Sequence, residues 1–217
     1  MNKQDLFNKL IQKKRDLQQI AKMAIKTPEI VNYLISGIKE DNARIKYGCT
    51  NTLIIISEKT PELVYPHFDI FKDYLNSKNK FIKWSAILII ANVTKSDNKN
   101  KFDAIFNLYF SDITGPVMIT AANIIKGAAI IAKSKPYLTK NITNKLLKIK
   151  NASYQTDECL NIIIGHTISS FDKFFILIDN KKEVLDFVRL HINNSRKPTR
   201  NKAEKFIKKW DKIAIST

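Results

Sequence analysis

Two segments of the sequence place a cation, an aromatic ring and small residues at the same spacing. They are Arg44–Cys49 (RIKYGC) and Phe81–Ala86 (FIKWSA), which start 37 residues apart. In each segment a lysine precedes the ring: Lys46 before Tyr47, and Lys83 before Trp84. A ring with a cation beside it can stack on a planar group and attract an anion. These residues are therefore candidates for contact with a partner.

The small residue that ends each segment marks a repeat that continues along the chain. With Cys49 and Ala86 as anchors, further matches fall at Ala121, Cys159 and Ala203, at spacings of 37, 35, 38 and 44 residues. Mostly apolar residues follow the anchors at three and four positions, on the same face of a helix. We therefore predict that the anchors face a core and that each repeat is a pair of helices.

This periodicity predicts an all-α fold, a right-handed α-α superhelix of about five helix pairs after an N-terminal capping helix. Thr27-Pro28-Glu29 and Thr60-Pro61-Glu62 resemble helix starts, with Thr as the N-cap residue and Pro at the first helical position. One domain is expected over residues 1–217. Its cap is predicted at 3–25, and its helix pairs at 28–58, 61–95, 98–133, 136–169 and 181–212.

The pattern of small anchors and apolar neighbours resembles the HEAT and armadillo repeat superfamily. The resemblance covers most of the chain, and it implies a fold rather than a function. In such proteins the second helix of each pair lines a concave surface, on the side opposite its anchor. Residues two before and two after the anchor would point there, given about 100° per residue.

These two positions carry aromatic and amide side chains in several repeats. Tyr47 and Asn51 lie four residues apart, and the array is similar to the Trp/Asn ladders of importin-alpha armadillo proteins, which hold an extended peptide. An amide both donates and accepts, so it can bond a peptide backbone without reading side chains. The candidate concave-face residues are Tyr47, Asn51, Trp84, Asn123, Asp157, Asn161, Lys46 and Lys83. The alternative is that these residues are merely solvated or packed.

The chain is strongly basic, with 37 Lys and Arg against 20 Asp and Glu and a formal net charge of +17. Such a charge favours anionic partners. Lysine dominates, although arginine is the more usual reader of phosphates and bases. The densest cluster comprises Arg189, Arg196, Lys197, Arg200, Lys202, Lys205, Lys208 and Lys209. Six lysines between 133 and 150 form a second group, for which an ordinary solubilising surface is the simpler interpretation.

Catalytic and metal-binding patterns are weak in this sequence. His67, His166 and His191 have no metal-ligand spacing, and Cys49 and Cys159 occupy anchor positions. A secondary resemblance to HEAT-like DNA alkylation-repair glycosylases implies a carboxylate among aromatic rings, for which Asp157 is the candidate. We expect no enzyme, no cofactor and no metal site, with a glycosylase as the alternative.

The expected function is therefore a non-enzymatic scaffold that holds a protein or an extended acidic peptide. A nucleic-acid-binding protein is the alternative. The densest apolar runs are shorter than the roughly 20 residues that cross a bilayer, so we expect no membrane insertion. No signal peptide is recognised after Met1, and a cytoplasmic location is expected.

Overall fold

The computed structural model describes the backbone of residues 1–214 and the side chains of residues 1–211. That part of the chain is helical, joined by short turns, and contains no strand. It divides into two compact units, Met1–Ile105 and the chain from Phe106 onward. The expectation of one continuous superhelical array stays a prediction, and each unit is described by itself.

The first unit is built around two long helices, α4 and α7, which pack against each other. The shorter helices α1, α2 and α3 pack on α4, and α6 packs on α7. The bounds are α1 Lys3–Ile11, α2 Leu17–Lys26, α3 Glu29–Gly37, α4 Ala43–Lys59, α5 Pro61–Val64, α6 Phe68–Tyr74, α7 Lys80–Val93 and α8 Lys101–Tyr109. The boundary between the units falls within α8.

The second unit has three long helices side by side, with α11 packed between α9 and α13. The short helix α12 packs on α13, and α10 contacts both α9 and α12. The bounds are α9 Met118–Ser134, α10 Thr139–Leu147, α11 Asp157–Phe174, α12 Lys181–Arg189 and α13 Lys197–Ala214.

Each predicted pair of segments contains helices of similar extent, with three local differences. The first half of the 61–95 pair is interrupted by a 3-10 turn, Tyr65–His67, because Pro66 has no N–H to continue an α-helix. The N-terminal segment 3–25 forms two helices. Helix α11 continues to Phe174, beyond the end predicted for its pair at residue 169.

The two Thr-Pro-Glu motifs start helices in different ways. Thr60 is the N-cap residue of α5 and Pro61 lies in its first turn, as predicted, although the Thr60 side chain makes no capping hydrogen bond. The N-cap residue of α3 is Pro28 and not Thr27, so the prediction was wrong for that motif. Asparagine side chains cap two other helices: Asn42 Oδ1 accepts from the first turn of α4, and Asn79 Oδ1 from that of α7. An asparagine side chain satisfies backbone N–H groups that have no partner within the helix.

Four of the five anchors lie in the core as predicted. The side chains of Cys49, Ala86, Ala121 and Ala203 are completely buried. Cys159 is half-buried, which corrects the prediction for that repeat. The reason is that α11 begins only at Asp157, so Cys159 lies in its first turn, where its N–H donates to the Thr156 hydroxyl.

Residues Asp157–Leu177 are long and apolar enough, by length and composition alone, to cross a membrane. Half of the tested window is buried inside the structure, between α9 and α13. The core helix of a soluble protein passes the same test, so this is weak support for a membrane span.

A buried aspartate fixes the start of α8 in the first unit. Asp97 is 7% exposed and accepts three hydrogen bonds. Its Oδ1 accepts from the Tyr65 hydroxyl at 2.7 Å and from Lys101 N at 2.9 Å, and its Oδ2 accepts from Phe102 N at 2.9 Å. Carboxylate bonds to helix N-terminal amides are among the stronger protein hydrogen bonds. Asp97 therefore joins the 65–67 turn to α8.

We predict that Asp97→Ala lowers the free energy of unfolding by about 2–4 kcal/mol, since it removes the carboxylate that caps α8 and accepts from the buried Phe102 N. Denaturant titration followed by circular dichroism measures the change. Asp73→Ala is the matched control, because the Asp73 side chain is 77% exposed. An equal effect of both substitutions would show that the buried cap contributes no more than a surface charge.

Candidate functional site

A groove of about 460 Å³ runs between α9 and α11 in the second unit. Its floor is apolar, formed by Ala122, Ile125, Ala129 and Ile162. Polar and basic side chains line it as well: Asn123, Lys126, His166 and Lys173. We call it the α9–α11 groove. Because the side chains of Ala122 and Ala129 are small, they leave space between the two helices.

The two walls of this groove are tied together at its base. The Ser170 hydroxyl on α11 donates to the Ile125 carbonyl on α9 at 2.9 Å, and both residues are buried. A hydrogen bond to a main-chain carbonyl fixes the distance between the helices, since neither partner can reach water. The groove is therefore preformed.

A second groove of about 270 Å³ lies between α11 and α13, and we call it the α11–α13 groove. Four lysines line it: Lys173, Lys202, Lys205 and Lys209. The two grooves share Ser169 and Lys173 on α11. Together they form one surface on both sides of that helix, which we call the α11 face.

The single carboxylate among the described side chains of the α11 face is Asp172, and it is already bonded. Its Oδ1 accepts from Lys209 Nζ at 2.8 Å and from Trp210 Nε1 at 2.6 Å. The remaining lysines of the two grooves thus exceed the acidic side chains available to neutralise them. The α11 face is an electropositive surface with an apolar floor.

Glycine at position 165 allows α13 to approach α11 closely. A Cβ at Gly165 would lie 2.7 Å from Thr199 Oγ1, closer than side chains tolerate. The Thr199 hydroxyl donates to the Asn161 carbonyl at 2.7 Å, and Lys202 Nζ donates to the Gly165 carbonyl at 3.0 Å. These contacts fix Lys202 beside α11.

Burial, and to a lesser extent nearby positive charge, lowers the pKa of two groups at the α11 face. The pKa of His166 is lowered, first by burial and then by the charges of Lys202 and Arg196. The pKa of Lys202 is lowered too, by burial and by Arg196. The lowered pKa favours the neutral form of His166, and a bound anion would favour its protonated form.

The eight basic residues predicted as one patch have different surroundings. Three lysines, Lys202, Lys205 and Lys209, line the α11–α13 groove, and Lys197 and Lys208 are exposed. The three arginines bond to the protein itself. Arg189 pairs with Asp186 and Asp211, Arg196 Nε donates to Glu158, and Arg200 Nη1 donates to the Asn194 carbonyl.

Of the predicted concave-face residues in this unit, Asn123 lines the α9–α11 groove, and its Nδ2 donates to the Ile119 carbonyl. Asn161 accepts from Asn194 Nδ2 at 2.8 Å and donates to Ser195 Oγ at 3.2 Å, so it holds the turn before α13. Asp157 is exposed in the first turn of α11.

The remaining predicted residues belong to the first unit. Tyr47 and Trp84 are both half-buried and both lie close to Phe81, which was not among the predicted residues. Asn51 is exposed on α4, and Lys46 and Lys83 are half-buried. That the candidate residues of the two units form one concave surface stays a prediction.

The cysteines and possible metal ligands offer no further site. Burial raises the pKa of the Cys49 thiol to about 12, and neither Cys49 nor Cys159 is in a disulfide. Among the described residues, no group of three or more His, Cys, Asp or Glu side chains could hold a metal ion.

Comparisons with known proteins leave the family open. No family model matches the chain, and no curated protein matches it. Among solved structures, the chain is similar to a crystal structure of an engineered protein from the Northeast Structural Genomics Consortium. The two are 12% identical over 96% of each chain, with a TM-score of 0.48, a likeness that supports no inference about function.

We predict that Gly165→Leu lowers the free energy of unfolding by roughly 1–3 kcal/mol, because the new side chain overlaps Thr199 in a close-packed contact. Denaturant titration measures the loss. Asn141→Leu, at an exposed position of α10, is the control for adding the same side chain. Unchanged stability of Gly165→Leu would contradict the close approach described for α11 and α13.

Proposed function

We propose that this protein is a non-enzymatic scaffold that holds an acidic segment of another protein on the α11 face. The observation that carries the proposal is the combination of an apolar floor with an excess of lysine in two adjoining grooves. In this proposal the helix pairs stack as a right-handed α-α superhelix of the HEAT and armadillo type.

The chemistry of the grooves favours a protein segment with both acidic and apolar side chains. Ile125 and Ile162 offer apolar surface, and burial of a partner's apolar side chain there supplies the non-directional part of the binding. Lysines at the edges attract carboxylates, and their flexible stems adapt to irregular spacing. The Asn123 side-chain oxygen adds an acceptor for a partner's backbone N–H.

Nucleic acid fits the α11 face less well. Proteins that bind single strands combine cations with aromatic rings on which bases stack. Within the described residues, the rings that line these two grooves are that of Phe206, which is 3% exposed, and the small imidazole of His166. The nearby arginines bond to carboxylates or carbonyls of the protein itself. These features support the protein-segment interpretation of this face.

A glycosylase site has little support at the α11 face. Such an enzyme needs a carboxylate and aromatic rings around one extruded base. No carboxylate lines the α9–α11 groove in the described part of the chain. Asp172 in the neighbouring groove is held by Lys209 and Trp210, so it is not free to act on a substrate.

We predict that a fluorescent peptide of about 15 residues with alternating Glu and Leu binds the protein, and that its Lys/Leu counterpart does not. The double variant Lys126→Glu/Lys173→Glu should weaken binding about tenfold or more, measured by fluorescence anisotropy. The control Lys148→Glu/Lys150→Glu makes the same charge change at exposed positions after α10 and should weaken binding less than about threefold.

Two results would overturn the proposed function. One is the absence of binding by the Glu/Leu peptide at low salt. The other is equal weakening by both double variants, which would show attraction by net charge rather than by the α11 face. A peptide of Glu alone separates the two contributions, since it keeps the charge and lacks the apolar side chains.

We also predict that affinity for the Glu/Leu peptide rises as the pH falls from about 8 to about 6. The pKa of His166 is lowered in the free protein, and bound carboxylates would raise it, so binding takes up a proton. The gain should be about threefold and should level off below the free-state pKa. His166→Gln should remove most of it, and an unchanged pH profile in this variant would contradict the assignment.

A further inference from the structure

We infer that the first unit carries a second, independent binding site, at which bases of single-stranded nucleic acid stack on Tyr47, Phe81 and Trp84. We call these three residues the aromatic platform. It lies on α4 and α7, and the proposal does not depend on the function assigned to the α11 face.

The three rings form one contiguous group at the surface. The Phe81 ring centroid lies 5.4 Å from that of Tyr47 and 5.2 Å from that of Trp84. Phe81 is 60% exposed, although phenylalanine is among the residues most often buried. An exposed ring that contacts two half-buried rings on its flanks is the arrangement expected of an aromatic surface that contacts a partner.

Hydrogen bonds of the Asn79 side chain fix the position of the platform. Asn79 Nδ2 donates to the Tyr47 hydroxyl at 3.1 Å. The other end of the same amide caps α7, since Oδ1 accepts from Phe81 N at 3.1 Å and Ile82 N at 3.3 Å. The ring on α4 is thereby linked to the helix that carries the other two. A preorganised surface loses little conformational freedom on binding.

The charge of the two helices selects an anionic ligand. Helix α7 contains no Asp or Glu, and α4 contains only Glu58, near its C-terminal end. The two helices carry lysines close to the rings along the chain: Lys80 is one helical turn before Trp84 and so on the same side of α7, and Lys46 and Lys83 directly precede Tyr47 and Trp84. A purely apolar partner would not need these cations.

Stacked bases with phosphates between them match this combination. Every base presents a π-face to an aromatic ring, and lysines follow the backbone without reading sequence. In a duplex the bases already stack on each other, so only a single strand offers free faces. The occupant is therefore a single strand of DNA or RNA, bound with little sequence preference.

The test uses the full-length protein and an oligothymidylate of about 12 nucleotides. Binding should quench the fluorescence of Trp84, while Trp210, 6% exposed and in the second unit, serves as the internal reference. Trp84→Phe should abolish the quenching. Phe81→Ala should weaken binding roughly tenfold, and affinity should fall as salt rises.

Control variants separate stacking from other contacts. Phe81→Leu keeps the apolar bulk and removes the ring, so it should weaken binding about as much as Phe81→Ala. Ile176→Ala truncates a side chain that is 72% exposed in the second unit and should leave binding unchanged. Circular dichroism verifies folding, which truncation of the exposed Phe81 should not disturb.

Several outcomes would overturn the inference. One is that the oligonucleotide causes no quenching that depends on Trp84, and another is that Phe81→Leu binds it with full affinity. The third is that duplex DNA of the same length binds equally well. The fourth is that light scattering detects self-association of the protein through the platform. The variant Lys126→Glu/Lys173→Glu should bind the oligonucleotide as well as the unmodified protein does. If this variant binds it weakly while Phe81→Ala binds it fully, the nucleic acid binds at the α11 face and not at the platform.

Discussion

The second unit depends on one close approach between helices, at Gly165. Without a side chain there, Thr199 and Lys202 of α13 reach main-chain carbonyls of α11. Two bonds to consecutive turns fix both the distance and the register of the helices. The position of every lysine on that side of the α11 face follows from this contact, because the lysines share α13 with Thr199.

The basic residues of this unit do two different jobs. Each of the three C-terminal arginines bonds to a carboxylate or carbonyl of the same unit. The guanidinium group suits such fixed, directional bonds. Several lysines instead line grooves, where a mobile ammonium on a long stem can meet a ligand. The number of charges along the sequence does not distinguish arginines that bond within the protein from lysines that line a groove. Their hydrogen-bond partners in the structure do.

Sequence reasoning located the helices and much of the core. Small residues at a regular spacing fixed the positions of α4, α7, α9 and α13, since only small side chains fit where helices approach closely. Cys159 failed as an anchor because the start of α11 depends on the Thr156 cap, which spacing alone does not reveal. The asparagine caps at Asn42 and Asn79 were not predicted, because neither residue is followed by the proline and glutamate that mark the Thr-Pro-Glu motifs.

The candidate sites were predictable only in part. Asn123, Lys202, Lys205 and Lys209 were identified and do line grooves, whereas Lys126, His166 and Lys173 were not. Those three lie outside the positions two before and two after the anchors, since Lys126 follows Ala121 by 5 residues and His166 and Lys173 follow Cys159 by 7 and 14. Phe81 was missed for a related reason: its position five residues before the anchor holds Arg44 in the preceding repeat. Its exposure depends on what packs beside α7, which is a tertiary property.

The contrast between the two cysteines has a practical consequence. The Cys49 thiol is completely buried and has a pKa of about 12, so at neutral pH it offers neither a thiolate nor a path for a reagent. Cys159 is half-buried at the first turn of α11. A maleimide dye or spin label would therefore attach to the native chain at one place, and spectroscopic reporting on the second unit would need no cysteine-free background.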